Sequence, residues 1–227
     1  MLDLLVPPSC AACGAPPPRR GVALCARCRA SLPWLHGELC GRCGLPRPCG
    51  RVTGGCPAAR AAFSASWAPL AHAGPARRLV LALKERGAVR VADLLAAQVA
   101  ASVPEPLTRG ATVVPVPADP LRRRLRGVDH TALLAGLVAA RTALPAAAVL
   151  RRRGHAAAHA GAGRRSRLAG AGVARVEVVD AAPAVVLLVD DVHTTGATLD
   201  AAARALLLAG AQDVRAVTVT RTLHARG

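Results

Sequence analysis

Val185-Val186-Leu187-Leu188-Val189-Asp190-Asp191-Val192-His193-Thr194-Thr195-Gly196-Ala197-Thr198 runs from an unbroken apolar stretch, through an acidic pair, into a loop of small residues. A run that is apolar at every position suits a central parallel strand covered on both faces. Helical spacing begins at Ala197 and continues to Leu208, so the segment reads as strand, short loop and helix. In open α/β sheets, ligands sit beyond the carboxyl ends of the strands. A loop that feeds a helix offers free backbone N–H groups and the positive end of the helix dipole, a combination suited to phosphate. Thr194, Thr195 and Thr198 add hydroxyl donors, and Gly196 allows close backbone approach.

Asp190 and Asp191 narrow the ligand. Two carboxylates beside a phosphate cradle would repel bare phosphate but suit a sugar phosphate, because they accept hydrogen bonds from ribose hydroxyls. They also supply the oxygen ligands that Mg²⁺ prefers. A plain strand end with a helix cap, or a receiver-type acidic pocket, would explain parts of this string but does not require all of it.

Working outward, strands alternate with helices, which implies a mostly parallel sheet. Helices are expected at Ala76–Leu83, Val91–Ala101 and from an Asp129 cap to about Arg141. Strands are expected at Thr112–Pro117, Ala147–Leu150, Ala174–Val179 and Val214–Thr220. Residues 154–172 are mostly Gly, Ala, His and Arg and read as a mobile arm. Hydrophobic residues make up 52% of the 227, but aromatics only 1%, so Val, Leu and Ala must fill the core.

The eight cysteines all lie between Cys10 and Cys56, which places a boundary near residue 60 and divides the chain into 1–60 and 61–227. The first part is rich in Pro and Gly and could not fold around a core of its own. Cys10-x2-Cys13 and Cys25-x2-Cys28 have the spacing of one tetrahedral Cys₄ zinc site. Cys40-x2-Cys43 is followed by Cys49 and Cys56 at less regular spacing. Either Cys49 serves as the fourth ligand of a second site, or that site is only partly filled. Disulfides are the weaker reading in a chain that begins without a signal-peptide pattern, and the expected location is the cytoplasm. No apolar run is long enough to span a membrane.

The net charge is +17, and residues 111–170 hold eleven arginines against two aspartates. This implies an anionic partner, a phosphorylated small molecule or nucleic acid. The shortage of aromatics argues against a base-stacking platform for single strands.

Several stretches together resemble the ComF/GntX-like family, which joins an N-terminal zinc module to a type I phosphoribosyltransferase domain. They are Leu32-Pro33-Trp34, Cys40 to Pro46, Leu79 to Gly87, Val114-Pro115-Val116-Pro117, Arg126-Gly127 and the Asp190–Thr198 loop. The resemblance implies that this loop binds the ribose 5-phosphate of phosphoribosyl pyrophosphate with Mg²⁺. Lys84 and Arg126 would then contact the pyrophosphate. It further implies a link to competence and DNA uptake. Two departures stand out. Where the family shows an aromatic and then Asn-Gln, this chain has Val128-Asp129-His130. In the arm the family favours a Gln, and an Arg followed three residues on by Asn, whereas this chain offers His159 and Arg167, with Gly170 where the Asn would fall. Two functions follow: a phosphoribosyltransferase with an unknown acceptor, or a non-catalytic single-stranded-DNA-binding protein that uses phosphoribosyl pyrophosphate as a regulatory ligand.

Overall fold

The computed structural model describes residues 9–16, 22–50, 55–84, 89–119, 127–152 and 176–223. The expected arm at 154–172 and Arg126 lie outside them. In chain order the elements are α1 (Ala26–Ala30), β1 (Ala65–Trp67), β2 (Leu70–Ala71), α2 (Gly74–Leu83), α3 (Val89–Ser102), α4 (Glu105–Thr108) and β3 (Thr112–Pro115). They continue with α5 (His130–Thr142), β4 (Leu150–Arg152), β5 (Val176–Val178), β6 (Val185–His193), α6 (Ala197–Leu208) and β7 (Asp213–Arg221).

The main sheet has the order β1-β7-β6-β3, with β2 also pairing to β7, and every one of these pairings is parallel. The fold is therefore mixed α/β around a mostly parallel sheet, as the alternation of elements implied. β6 is the central strand. Leu187 and Val189 pack on one face with residues of α2, α3 and α5, while Val186 and Leu188 pack on the other with α6. That double burial is why the strand is apolar at every position from 185 to 189. Asp129 caps α5, its Oδ1 accepting from the Ala132 N–H at 3.0 Å.

Two departures from the sequence pattern bear on the site. β6 continues through Asp190 and Asp191 to His193, so the acidic pair belongs to the strand and does not follow it. The pair stays in register with β7, Asp190 opposite Thr218 and Val192 opposite Thr220. The strand expected at Ala147–Leu150 forms instead at Leu150–Arg152, paired antiparallel with β5.

The cysteine-rich segment straddles the sheet. Cys10, Leu24, Cys28 and Leu32 pack into the core on the α2/α3 face, whereas Cys40, Cys43 and Leu45 pack into the core on the α6 face. Between them the chain crosses the sheet edge. Trp34 bridges Leu70 antiparallel, the Leu35 N–H donates to Pro69 O, and the Ala71 N–H donates to Pro33 O. The Leu32-Pro33-Trp34 stretch thus covers an edge that would otherwise present unpaired backbone groups.

Candidate functional site

The carboxyl ends of β3 and β6 open on a cavity of about 320 Å³ lined by residues that include Lys84, Asp119, His130, Arg152, Asp190, Asp191, Thr194 and Thr198. Its size lies at the lower end of the range for small-molecule sites. One wall is the strand-loop-helix segment. α2 delivers Lys84 from its C-terminal end, α5 delivers His130 from its first residue, and β4 delivers Arg152.

Asp191 is buried and faces two donors, Lys84 Nζ at 2.8 Å and His130 Nε2 at 3.4 Å from Oδ2. Burial alone would push its carboxyl up, but His130 and Lys84 together outweigh that and hold it below the usual range. Asp190 behaves in the opposite way. Burial and the neighbouring Asp191 charge push it up to about 8, against the Asp191 N–H that donates to its Oδ1 at 2.8 Å. One carboxylate is thus paired and the other holds its proton near neutral pH, so the site repels an incoming phosphate far less than two free carboxylates would.

At the loop, Gly196 is the N-cap of α6 with φ +83°, a left-handed conformation that favours glycine. A Cβ there would come within 2.8 Å of His193 Nε2. His193 is fully enclosed, its ring edge-on to Phe63 with centroids 5.9 Å apart. Burial first, then the Arg221 charge, lowers its pKa to about 3, so it stays neutral. Thr194 and Thr195 are exposed, and Thr195 Oγ1 accepts from the Ala197 N–H at 3.4 Å. α6 runs twelve residues from Ala197 and keeps the unpaired first-turn N–H groups of any helix start. Of the residues named from sequence, the cavity gathers Lys84, Asp190, Asp191, Thr194 and Thr198. Thr195, Gly196 and Ala197 follow in the same loop and helix start but do not line it, and Arg126 is outside the described residues.

Sequence reasoning missed Asp119, His130, Thr131, Arg152 and Arg221. Asp119 follows the proline-closed end of β3, whose position at a strand terminus was legible. Arg152 was hidden in the run Arg151-Arg152-Arg153, which reads as a solvated basic patch. Arg221 gave no local signal at all.

The cysteines form two clusters, Cys10/Cys13/Cys25/Cys28 and Cys40/Cys43/Cys49/Cys56. In each, the four Sγ atoms lie within 4.8 Å of one another. The Cys13–Cys25 and Cys40–Cys56 sulfur separations are 3.8 and 3.9 Å. Those are close to the edge of a tetrahedron with zinc–sulfur arms of about 2.3 Å and too long for disulfides, whose sulfurs sit about 2.05 Å apart. The two knuckles repeat one design. The Gly14 and Gly44 N–H groups donate back to Cys10 O and Cys40 O at 2.8 Å, both glycines having positive φ. Burial raises the Cys10 thiol, but the backbone N–H groups of Cys25, Ala12 and Cys13 outweigh it and bring it down to about 6. Cys40 comes down to about 7 in the same way, through Cys43 and Arg42. Cys28 is pushed up to about 12 by burial and its fellow thiols, and Cys43 is also pushed up. Four packed thiols divided in this way cannot all ionise without a cation, and structural Zn²⁺ fits both sets. Cys49 completes the second set despite its irregular spacing.

The model of the double zinc ribbon domain family matches residues 1–57. The N-terminal module is of the double zinc ribbon kind. No curated protein matches the chain. No helix among the described residues is long and apolar enough to cross a membrane.

Proposed function

We propose that the pocket binds the ribose 5-phosphate part of phosphoribosyl pyrophosphate, and that the chain is a ComF-like, phosphoribosyltransferase-type protein. Residues 61–227 would form that domain, with the ribbon module of 1–60 docked on it. The observation that carries the reading is one wall. Asp190, Asp191, Thr194 and Thr198 line a single cavity at the carboxyl end of the central parallel strand, with Lys84 facing them.

In this reading the loop N–H groups and the threonine hydroxyls hold the 5-phosphate at the start of α6. Asp190 and Asp191 accept from the ribose hydroxyls. Lys84, at the end of α2, is placed to exchange its pairing with Asp191 for pyrophosphate oxygens, a role shared with Arg126. Asp191, and Asp190 once it gives up its proton to the cation, would also support Mg²⁺, whose preference is for oxygen ligands. When bound, that ion supplies charge neutralisation on pyrophosphate. Positioning and charge stabilisation would contribute most of any rate enhancement. Calorimetric titration with phosphoribosyl pyrophosphate and Mg²⁺ tests the reading, and pyrophosphate release across a panel of bases and amines tests turnover.

A second function is favoured by two sequence features. The acceptor side carries Val128-Asp129-His130 where the family shows an aromatic and Asn-Gln, and the middle of the chain is strongly basic. A binding protein of DNA uptake, with phosphoribosyl pyrophosphate as a regulatory ligand, would need the ribose-phosphate half of the site and not the acceptor half.

A further inference from the structure

Arg221, the last residue of β7, has one of the largest side chains fully enclosed in the protein, 2% exposed. Its Nε donates to Cys43 O at 2.9 Å. Its Nη1 donates to His193 O at 2.8 Å, to Thr194 O, and to Thr222 O at 3.2 Å. One guanidinium thus joins a ligand-bearing knuckle of the second cysteine cluster to the two residues that open the phosphate loop. A buried cation is expensive unless its donors are satisfied, and all four of these acceptors are neutral carbonyls. Charge that favours its protonated form comes from Cys43 and Cys56. Four thiolates around one Zn²⁺ carry a net charge of −2, so the filled cluster supplies counter-charge beside this arginine.

The contact also orients the loop. In a trans peptide the C=O and the following N–H point in opposite directions. Pinning the carbonyls of His193 and Thr194 to Arg221 therefore turns the N–H groups of Thr194 and Thr195 away from it, where an anion can use them. Two further links run from the chain just after Cys56. Phe63 packs with Cys40 and Cys43 and meets the His193 ring, and the Ala62 N–H donates to Asp200 Oδ1 at 2.7 Å in the first turn of α6.

We propose that Arg221 is a positioning residue that couples the second cysteine cluster to the phosphate loop, so that zinc at Cys40/Cys43/Cys49/Cys56 and ribose 5-phosphate at Thr194–Thr198 bind cooperatively. The ligand half rests on the function proposed above, whereas the dependence of the loop on the cluster does not. Linkage requires the effect to be reciprocal.

Two measurements on the full chain decide it. In ligand-free protein, exchange of the amides that hold the loop carbonyls, Thr222 to His193 O at 3.0 Å and Asp200 to Gly196 O at 2.8 Å, should accelerate about tenfold or more when the second site is emptied by chelation or by Cys56→Ser. That is the order expected for losing a hydrogen bond to a charged group. Cys13→Ser, which empties the first site on the opposite face of the sheet, should accelerate these amides much less. Second, zinc retention by the second site against a competing chelator should rise when ribose 5-phosphate is present, by the same factor by which zinc raises ribose 5-phosphate affinity. Arg221→Met should abolish that mutual dependence, and Arg221→Lys, which keeps the charge but not the fork, should restore part of it. Equal loop exchange with the second site filled and empty would overturn the coupling. So would zinc retention that ignores a ribose 5-phosphate shown to bind. If ribose 5-phosphate does not bind the zinc-loaded chain, the sugar-phosphate function falls, and the exchange experiment alone decides the coupling.

Discussion

Gly196 combines two constraints in one residue. Its φ of +83° disfavours any side chain, and a Cβ would run into His193 Nε2 at 2.8 Å. The sequence suggested a glycine kept small for the ligand's sake, and the structure adds an enclosed ring that leaves no room behind it. His193 cannot step aside, because Phe63 bounds its ring and its carbonyl is held by Arg221 and the Thr222 N–H. Gly196→Val should therefore weaken phosphoribosyl pyrophosphate binding more than Asp190→Ala or Asp191→Ala. Asp191→Ala removes a charged acceptor worth about 1.5–3 kcal/mol, roughly ten- to a hundredfold in affinity, and Asp190→Ala a neutral one worth about 0.5–1.5 kcal/mol. Thr195→Val should weaken it least, since the backbone N–H groups remain. Calorimetry on the four variants gives the order directly. Asp190 makes a separate prediction about pH. Its folded pKa of about 8 stands above the ordinary 3.8, so between those values the unfolded chain releases a proton that the folded chain keeps. Its stabilising contribution is complete below about pH 4 and is lost as pH rises through 8. Asp190→Asn, which cannot ionise, should melt at an increasingly higher temperature than the parent from pH 5 to pH 8. A margin that stays constant with pH would contradict this.

At the scale of elements, β6 shows what periodicity can and cannot tell. Its apolar half was legible because both faces are buried. Its last four residues were not, because Asp190 and Asp191 break the pattern that marks a strand. They remain in the ladder because Lys84 and His130, far away in sequence, pair one carboxylate, while the other keeps its proton. The same long-range origin hid His130 and Arg152 as site residues, since nothing local distinguishes them from a helix start and a basic run. β1 and β2, of three and two residues, are too short to carry an alternation and exist because β7 offers them an edge. The helix from Ala197 and the Asp129 cap were readable because their signals are local. The ribbons bear on stability beyond their own segment. Cys10 and Cys28 lie in the same core cluster as Leu79, Leu95 and Val217, so the first zinc site is part of the α/β core. Metal analysis should find two zinc ions per chain. Cys28→Ser should remove one of them and lower the melting temperature of the whole protein, and an unchanged melting temperature would refute that integration.

For the whole molecule, the proposed function asks charge and topology each to serve an anionic partner. Net charge +17 gives a long-range pull on any polyanion, but the chain has only Trp34, Trp67 and Phe63 for stacking on bases. Phe63 is enclosed, and both tryptophans are at least half-buried. Any binding of single-stranded DNA should therefore be electrostatic. Log affinity should fall linearly with log salt, with a slope near 0.7 per phosphate contacted, and with little preference among sequences. Salt-insensitive binding would contradict that. The small-molecule site depends on different features: a parallel sheet that ends in a cavity, one carboxylate paired and one protonated, and a helix start held open by Gly196. Its central claim is tested most directly by titrating the zinc-loaded chain with phosphoribosyl pyrophosphate and Mg²⁺ in a calorimeter, beside Gly196→Val. Saturable binding at one site per chain, lost in the variant, is the predicted result. No heat of binding to the parent protein, or equal binding to both, would contradict it.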